Sequence, residues 1–193
     1  MSVPGYPGPY TAHVDPFARA HLPPPEQWPL LQFERPELRY PARINCGVVL
    51  CDDAVREGHG ERVALYSDAG PWTYAQLLHK ANRIANVLVH DLGVVPGNRV
   101  LLRGPNGPML AAAWLAVMKA GAIAVTTMPL LRAKELGQIV RKAEIDHALC
   151  DARLLQELAA TTAETGRVAK TLTWGDGALE QRMERQPATF ANV

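Results

Sequence analysis

The sequence predicts an α/β fold, a parallel-rich sheet flanked by helices, with a Pro-rich arm in front of it. Three observations predict it. Short apolar runs alternate with amphipathic stretches from residue 44 to residue 175, the pattern of βαβ units. Ten of the 16 prolines fall within the first 41 residues. Of 193 residues, 48% are hydrophobic and 20% charged, the balance of a chain that buries a core. The expected organisation is an arm over 1–43 that wraps the body, an α/β subdomain over 44–175, and a linker or truncated end over 176–193.

In the arm, Pro23-Pro24-Pro25 and the steps into Pro29, Pro36 and Pro41 favour extended backbone. Residues 1–10 are expected to be mobile. Residues 13–22 can form a short helix with Phe17 and Leu22 on one side. Trp28, Leu30, Leu31, Phe33 and Tyr40 are too apolar for a free linker, which is why the arm is expected to wrap the body.

The body opens with a helix over 44–56, carrying Val48, Val49, Ala54 and Val55 and ended by Gly58 and Gly60. A strand over 62–66 and a turn over 67–70 follow. Thr73 and Gln76 form a capping box: the Thr oxygen takes a backbone N–H and the Gln reaches back. Behind it Leu77, Leu78, Ala81, Ile84, Ala85, Leu88 and Leu92 recur at helical spacing, and Gly93 supplies the stop. Arg99-Val100-Leu101-Leu102-Arg103 reads as a strand buried on both faces at its centre. Gly104-Pro105-Asn106-Gly107 is a turn in which Asn106 is expected to cap the next helix, over 109–119. That helix is apolar nearly all round and so is expected to be buried on most sides. A strand over 122–126 follows, and Pro129 breaks the chain. A helix over 133–143 aligns Leu136, Ile139, Val140 and Ala143. A strand over 146–150 leads to Asp151, which caps a helix with a Leu154, Leu155, Leu158 seam that ends at Gly166. Val168 to Trp174 is the last strand. Beyond it the pattern fades to a loop, or a single helical turn over 179–185.

Composition excludes several classes. Twenty Lys and Arg against 19 Asp and Glu leave a net charge of +1, so neither a nucleic-acid partner nor a membrane surface is indicated. No apolar run approaches the roughly 18 residues of a spanning helix. The first residues carry Pro and Gly where a signal peptide has a basic patch and an apolar stretch. Cys46, Cys51 and Cys150 are too few for a disulfide scaffold, which favours a reducing, cytoplasmic setting. His13, His21, His59, His79, His90 and His147 show no metal-ligand spacing.

No catalytic set emerges. Gly104-Pro105-Asn106-Gly107 sits where backbone N–H groups can hold an anion, but it lacks a Gly-x-Gly-x-x-Gly spacing, and Pro105 and Pro108 remove donors. It reads as a plain strand-to-helix turn. Thr161-Thr162-Ala163-Glu164-Thr165-Gly166 reads as a helix end rather than a phosphate loop. Asp52 and Asp53 point about 100° apart on a helix and read as a solvated face. His147 and Cys150 fall on opposite faces of a strand and make no dyad. Cys46 and Cys51 are expected to be buried as small apolar residues. Arg132, Lys134, Arg141 and Lys142 read as the wet side of an amphipathic helix.

Two segments carry a family resemblance. Trp72-Thr73-Tyr74-Ala75-Gln76-Leu77 is similar to the Thr-Tyr-x-Glu-Leu motif of adenylate-forming enzymes. Met118-Lys119-Ala120-Gly121-Ala122-Ile123-Ala124-Val125, followed by Pro129, resembles their Leu-Lys-Ala-Gly motif, and Asn98-Arg99-Val100 lies between the two as in that family. The arm, Ala-His-Val-Asp-Pro-Phe and then His-Leu-Pro-Pro-Pro-Glu-Gln-Trp-Pro, resembles the 2-aminobenzoate–CoA ligase branch, with benzoate–CoA ligases next to it. Gln76 stands where Glu is usual, and Met128 where an acidic residue or Asn is frequent.

The resemblance implies the N-terminal subdomain of an AMP-forming acyl-CoA synthetase. It implies ATP, Mg²⁺ and CoA as cofactors of the intact enzyme, an aromatic carboxylate as substrate, and the rest of its own ligase chain as partner. In that family these two motifs are architectural. The phosphate loop is expected soon after Val193, so no catalytic, cofactor-binding or metal residue is carried over, and the chain alone is expected to be inactive and to bind no cofactor. The ending Ala-Thr-Phe-Ala-Asn-Val leaves Phe190 without an evident partner, which favours a cut in a linker. An uncovered edge or face of the sheet is then expected, with self-association through it. The alternative reading is a complete, non-catalytic α/β binding or interaction module.

Overall fold

The computed structural model describes residues 11–30, 35–41 and 43–193. The expectations for residues 1–10, Leu31 and Phe33 lie outside the described residues.

Four parallel strands form the main sheet: β3 (Arg99–Arg103), β4 (Ile123–Thr127), β5 (His147–Asp151) and β6 (Lys170–Trp174), in the order β4-β3-β5-β6. Before them, β1 (Val63–Leu65) and β2 (Trp72–Thr73) make a small antiparallel pair. The β2 strand was not evident in the sequence, where 71–73 reads only as an entry to the next helix. In the main sheet Arg99 pairs with Ile123, and Val100 with His147, so β3 lies between its neighbours in uniform parallel register.

The helices divide between the two faces. Along β3 the side chains alternate: Val100 and Leu102 join the larger cluster, and Leu101 joins the smaller. The larger cluster takes Leu77, Ala81, Ile84, Ala85 and Leu88 from α2 (Tyr74–Asn86) and the wide turn Val87–Asp91 that prolongs it. It also takes Ala112, Ala113, Leu115 and Ala116 from α3 (Pro108–Lys119). The smaller cluster takes Val140 from α4 (Ala133–Ala143) and Leu158 from α5 (Leu155–Thr165). The fold class read from the sequence is the one observed.

Local signals act where they were read. Thr73 Oγ1 accepts the Gln76 N–H at 3.3 Å while Gln76 Oε1 accepts the Thr73 N–H at 2.9 Å, so α2 has its capping box with Gln in place of Glu. Asp151 Oδ1 accepts the Arg153 N–H at 3.0 Å and opens the turn Ala152–Leu154 before α5. The first body helix starts at Cys46, two residues later than read, behind Asn45, whose Oδ1 accepts the Gly47 and Val48 N–H groups at 3.0 and 3.3 Å.

Several expectations are corrected. Gly107, not Asn106, precedes α3, and no side chain caps that helix. Residues 13–22 give only α1 (Phe17–Ala20), because Pro16 stands directly before it and Pro23-Pro24-Pro25 follows. In the arm, 13–17 dock on the body: the Val14 and Asp15 N–H groups both donate to the Pro96 carbonyl at 2.9 Å. Gly97 takes φ +90° there, and a Cβ would strike the Asp15 carbonyl, so only glycine admits this approach. Leu30 and Tyr40 remain exposed. Among the described residues, the arm meets the body at a polar docking point, where Asp15 also ion-pairs with Arg99. Cys46 is exposed, not buried, because it sits on the outward side of the first turn after Asn45.

Residues 176–193, read as a linker or truncated end, pack onto the body. A helix, α6 (Ala178–Glu184), buries Leu179 and Met183 in the larger cluster. Asn82 donates to the Ala188 carbonyl at 2.7 Å, and Asn86 to those of Pro187 and Thr189 at 3.2 and 2.9 Å. Held this way, Phe190 packs against the larger cluster, so it has the partner that the sequence did not show.

Gly104 follows β3 directly, and a Cβ there would overlap the indole of Trp174, which is itself buried at the end of β6. Gly104→Ala is expected to lower stability by about 1–3 kcal/mol through overpacking. Urea unfolding checks it; an unchanged midpoint would show that Trp174 moves aside freely.

Candidate functional site

In open parallel sheets, ligands bind outside the carboxyl ends of the strands, where the strand order reverses. Here the chain leaves β3 for β4 on one side and returns to β5 on the other. The loops after β3 and β5 therefore bound the place to search.

Two large side chains close that place. On one face the Trp174 ring lies against Gly104. On the other, Arg103 lies buried at 1% exposure and donates to four carbonyls. Its Nη1 reaches Met128 at 3.1 Å, Nη2 reaches Pro129 and Leu131 at 3.0 and 2.8 Å, and Nε reaches Leu154 at 3.4 Å. Burial pulls this guanidinium below its usual pKa, although the Glu157 carboxylate favours the charge. Arg103 is occupied in holding the Met128–Leu131 loop, not in offering charge to a ligand.

Beside this plug, along α3, an open cleft of about 500 Å³ is lined by Leu65, Tyr66, Asn106, Gly107, Leu110, Trp114 and Thr126 among others. Trp114 and Tyr66 are exposed there, so α3 is buried on most sides, as the sequence predicted, and uncovered at Trp114. The lining is apolar and aromatic, with the Tyr66 phenol, Asn106 and Thr126 as its neutral polar points. It holds no carboxylate, imidazole, amine or thiol, which suits it to bury a flat or apolar surface. Among the described residues, no group of three His, Cys, Asp or Glu side chains is placed to hold a metal ion. No helix of the described residues is long and apolar enough to cross a membrane.

The sequence candidates fall as follows. Asp52 does not face solvent as read: it ion-pairs with the fully buried Lys119 ammonium. That lysine belongs to the Lys-Ala-Gly motif, so the motif anchors the first body helix onto the end of α3. Asp53 pairs with Arg56 on the surface. The His147 imidazole meets the Leu92 carbonyl at 3.2 Å. Burial pulls it below its ordinary pKa, and the neighbouring Lys170 charge adds to this. Burial raises the Cys150 thiol to about 12 and that of Cys51 to about 11, so neither is a thiolate at neutral pH. Arg132 pairs with Glu157 at 2.9 Å and Arg141 with Glu164 at 3.1 Å, tying α4 to α5 on their wet sides. Gly166 takes φ +68° just after α5, so 161–166 is a helix end.

At the opposite end of β3, Arg99 was not singled out in the sequence. It donates to the Gly97, Ala143 and Glu144 carbonyls at 3.0, 2.8 and 3.0 Å, and it ion-pairs with Asp15 of the arm. The Phe17 ring lies 4.3 Å from its guanidinium carbon. Burial acts to raise the Asp15 pKa, but the Phe17 N–H, Arg99 and Asn98 outweigh it and hold the carboxyl below the usual range. An arginine at both ends of an otherwise apolar strand was the signal available.

A family model described as "AMP-binding enzyme" matches residues 52–191. Among curated proteins, the salicyl-AMP ligase / salicyl-S-ArCP synthetase of Mycobacterium tuberculosis is 41% identical over 99 residues, 51% of this chain and 15% of that protein. The benzoate–CoA ligase of Thauera aromatica is 29% identical over 96 residues, 50% of this chain and 18% of that protein. Among solved structures, the anthranilate CoA ligase AuaEII in complex with anthranoyl-AMP superposes with a TM-score of 0.74. It does so at 21% identity, over 80% of this chain and 30% of that one. The chain thus spans less than a fifth of these curated relatives and under a third of that solved chain.

Removing the carboxylate from the buried pair isolates the Lys119 charge. Asp52→Asn is expected to cost about 3 kcal/mol in denaturant unfolding, and adding Lys119→Met to recover most of it. A loss below about 0.5 kcal/mol for Asp52→Asn would mean that the pair does not hold the helix.

Proposed function

The chain belongs to the AMP-binding enzyme family, and on that premise we propose that it is the N-terminal part of an AMP-forming aryl-CoA ligase. The intact enzyme joins an aromatic carboxylate to CoA in two steps. The carboxylate oxygen attacks the α-phosphorus of ATP and expels pyrophosphate, which leaves an acyl-adenylate. The CoA thiol then attacks the acyl carbon and releases AMP. Cationic donors and Mg²⁺ supply stabilisation of the phosphoryl transition state.

The observation that carries this reading is the match over 52–191, which covers both faces of the observed sheet. The aryl acid is supported by two relatives whose names specify salicylate and benzoate. Within that class, the arm's resemblance to the 2-aminobenzoate–CoA ligase branch supports 2-aminobenzoate or benzoate. ATP, Mg²⁺ and CoA are assigned to the remainder of the ligase, where the family resemblance puts the phosphate loop. This chain's own contribution is the scaffold: an apolar cleft and a clamped loop beside the carboxyl ends of the strands. The division into an arm over 1–43, a subdomain over 44–175 and an end over 176–193 belongs to the same proposal, as does a cytoplasmic location.

ATP–pyrophosphate exchange on the full-length ligase tests the reading, with 2-aminobenzoate, benzoate, salicylate and acetate as acids. Aryl acids are expected to drive exchange about tenfold or more above acetate, and the 193-residue chain alone to drive none. No exchange with any aryl acid would contradict the aryl-ligase reading; none with any acid would leave a non-catalytic binding module.

A further inference from the structure

We propose that the arm is a releasable strap. Residues 13–17 and the carboxyl end of α4 are held by the same guanidinium, that of Arg99, and the two open and close together as one local unit while the sheet stays folded. This concerns the body itself and holds whether or not the ligase reading does.

The arm is built to come away. None of its described residues, 11–30 and 35–41, is buried, so its departure takes no side chain out of the core. Asp15 is the centre of its docking. That carboxylate accepts from the Phe17 N–H and from Asn98 Nδ2, both at 2.9 Å, and from Arg99. The body meets the arm here with bare backbone: a Cβ on Gly97 would collide with the Asp15 carbonyl and come within 2.9 Å of the His13 Cβ. Segments with few buried apolar contacts are the ones that open locally.

Arg99 ties this acid to α4. Its Nε donates to the Ala143 carbonyl at 2.8 Å and its Nη2 to the Glu144 carbonyl at 3.0 Å, while Nη1 serves both Asp15 and the Gly97 carbonyl. Every nitrogen of the guanidinium is engaged, and the residue is 8% exposed. Asp15 is its one anion among the described residues. When the arm leaves, the charge stays behind without a counter-ion, and the Phe17 ring no longer covers it. The guanidinium then gains hydration by turning outward, which withdraws Nε and Nη2 from α4.

That end of α4 needs the hold. Glu144 takes φ +48° without being glycine, a conformation that costs an L side chain energy. Its N–H reaches the Arg141 carbonyl only at 3.4 Å, and the Ile145 N–H reaches the Val140 carbonyl at 3.1 Å. The last carbonyls of a helix lack partners within it, and Arg99 supplies two. Arg167 also reaches this corner, 3.8 Å from the Glu144 carboxylate and 3.1 Å from Asp146, but these are solvent-screened pairs of little strength. The buried hold on the end of α4 is therefore the one that the arm neutralises.

Native-state amide exchange on the intact protein, followed residue by residue against urea, tests this. The Val14, Asp15 and Phe17 amides should show the same opening and the same urea dependence as those of Glu144 and Ile145. Both sets should exchange about 100-fold or more faster than the amides of Arg99 to Arg103. Asp15→Asn removes the counter-ion, and Gly97→Ala blocks the arm by bulk while leaving Asp15 and Arg99 in place. Each variant should speed exchange about tenfold or more at the arm amides and at Glu144 and Ile145 alike, and leave Lys170 to Trp174 unchanged. Acceleration confined to the arm would overturn the inference, since the arm then leaves without α4. Arm amides as slow as those of β3 would also overturn it, since the arm then opens only with the whole body. Should a variant fail to fold, the wild-type urea dependence decides alone: unequal openings at the arm and at Glu144 and Ile145 overturn the coupling.

Discussion

The rest of the structure depends on two guanidinium groups buried at the two ends of one strand. Arg99 and Arg103 bracket three apolar residues of β3, the inner strand that pairs with both β4 and β5. A strand of this length spans about 13 Å from first to last residue. The helix α4, of 11 residues, is about 16 Å long. The two lengths match closely enough for one strand to hold both ends of one helix. Arg99 takes the Ala143 and Glu144 carbonyls, where α4 ends and orphan acceptors would otherwise face the interior. Arg103 takes the carbonyls of Met128, Pro129 and Leu131, on the loop that feeds α4. Asp15 neutralises Arg99 and brings the arm with it. Arg103 has no ion-pair partner among the described residues and is held by four carbonyl dipoles, with Glu157 favouring its charge from farther away, which makes its site demanding in geometry.

This arrangement accounts for how the molecule divides its work. The carboxyl end of β3, the usual ligand crevice of such sheets, is filled by Arg103 and Trp174. Open surface lies to one side instead, along α3 and β4. The chain therefore presents a rigid wall with a clamped loop, on which exposed Met128 and Leu130 stand outward. A wall of this kind suits one layer of a larger enzyme, with the chemistry carried by segments that pack against it.

Much of the fold was legible in the sequence because apolar periodicity and capping chemistry are local. The capping box at Thr73, the α2 seam and the alternation along β3 each follow from neighbouring residues. What was not legible depended on partners far away in sequence. Asp52 looks like a solvated acid until Lys119, 67 residues later, is seen against it. Arg99 and Arg103 look like polar strand ends until the carbonyls of α4 and its loop arrive. Residues 176–193 read as a loop or a single helical turn because Ala178, Leu179 and Met183 are the apolar residues of α6, and the holding groups are the Asn82 and Asn86 amides on α2. Of the site, the chain itself shows a cleft whose polar groups are the Tyr66, Asn106 and Thr126 side chains. The functional reading comes from the family and not from a constellation of side chains.

The most direct test of this account is the unfolding free energy of Arg103→Lys, measured by urea titration beside Arg103→Met. Lysine keeps the charge but has one donor nitrogen, which cannot reach four carbonyls on two separate segments, the Met128–Leu131 loop and Leu154. The account predicts that both variants lose about 3 kcal/mol or more, because each strands buried acceptors. A loss within about 0.5 kcal/mol for either would contradict it, and would mean that α4 is held to the sheet by apolar packing alone.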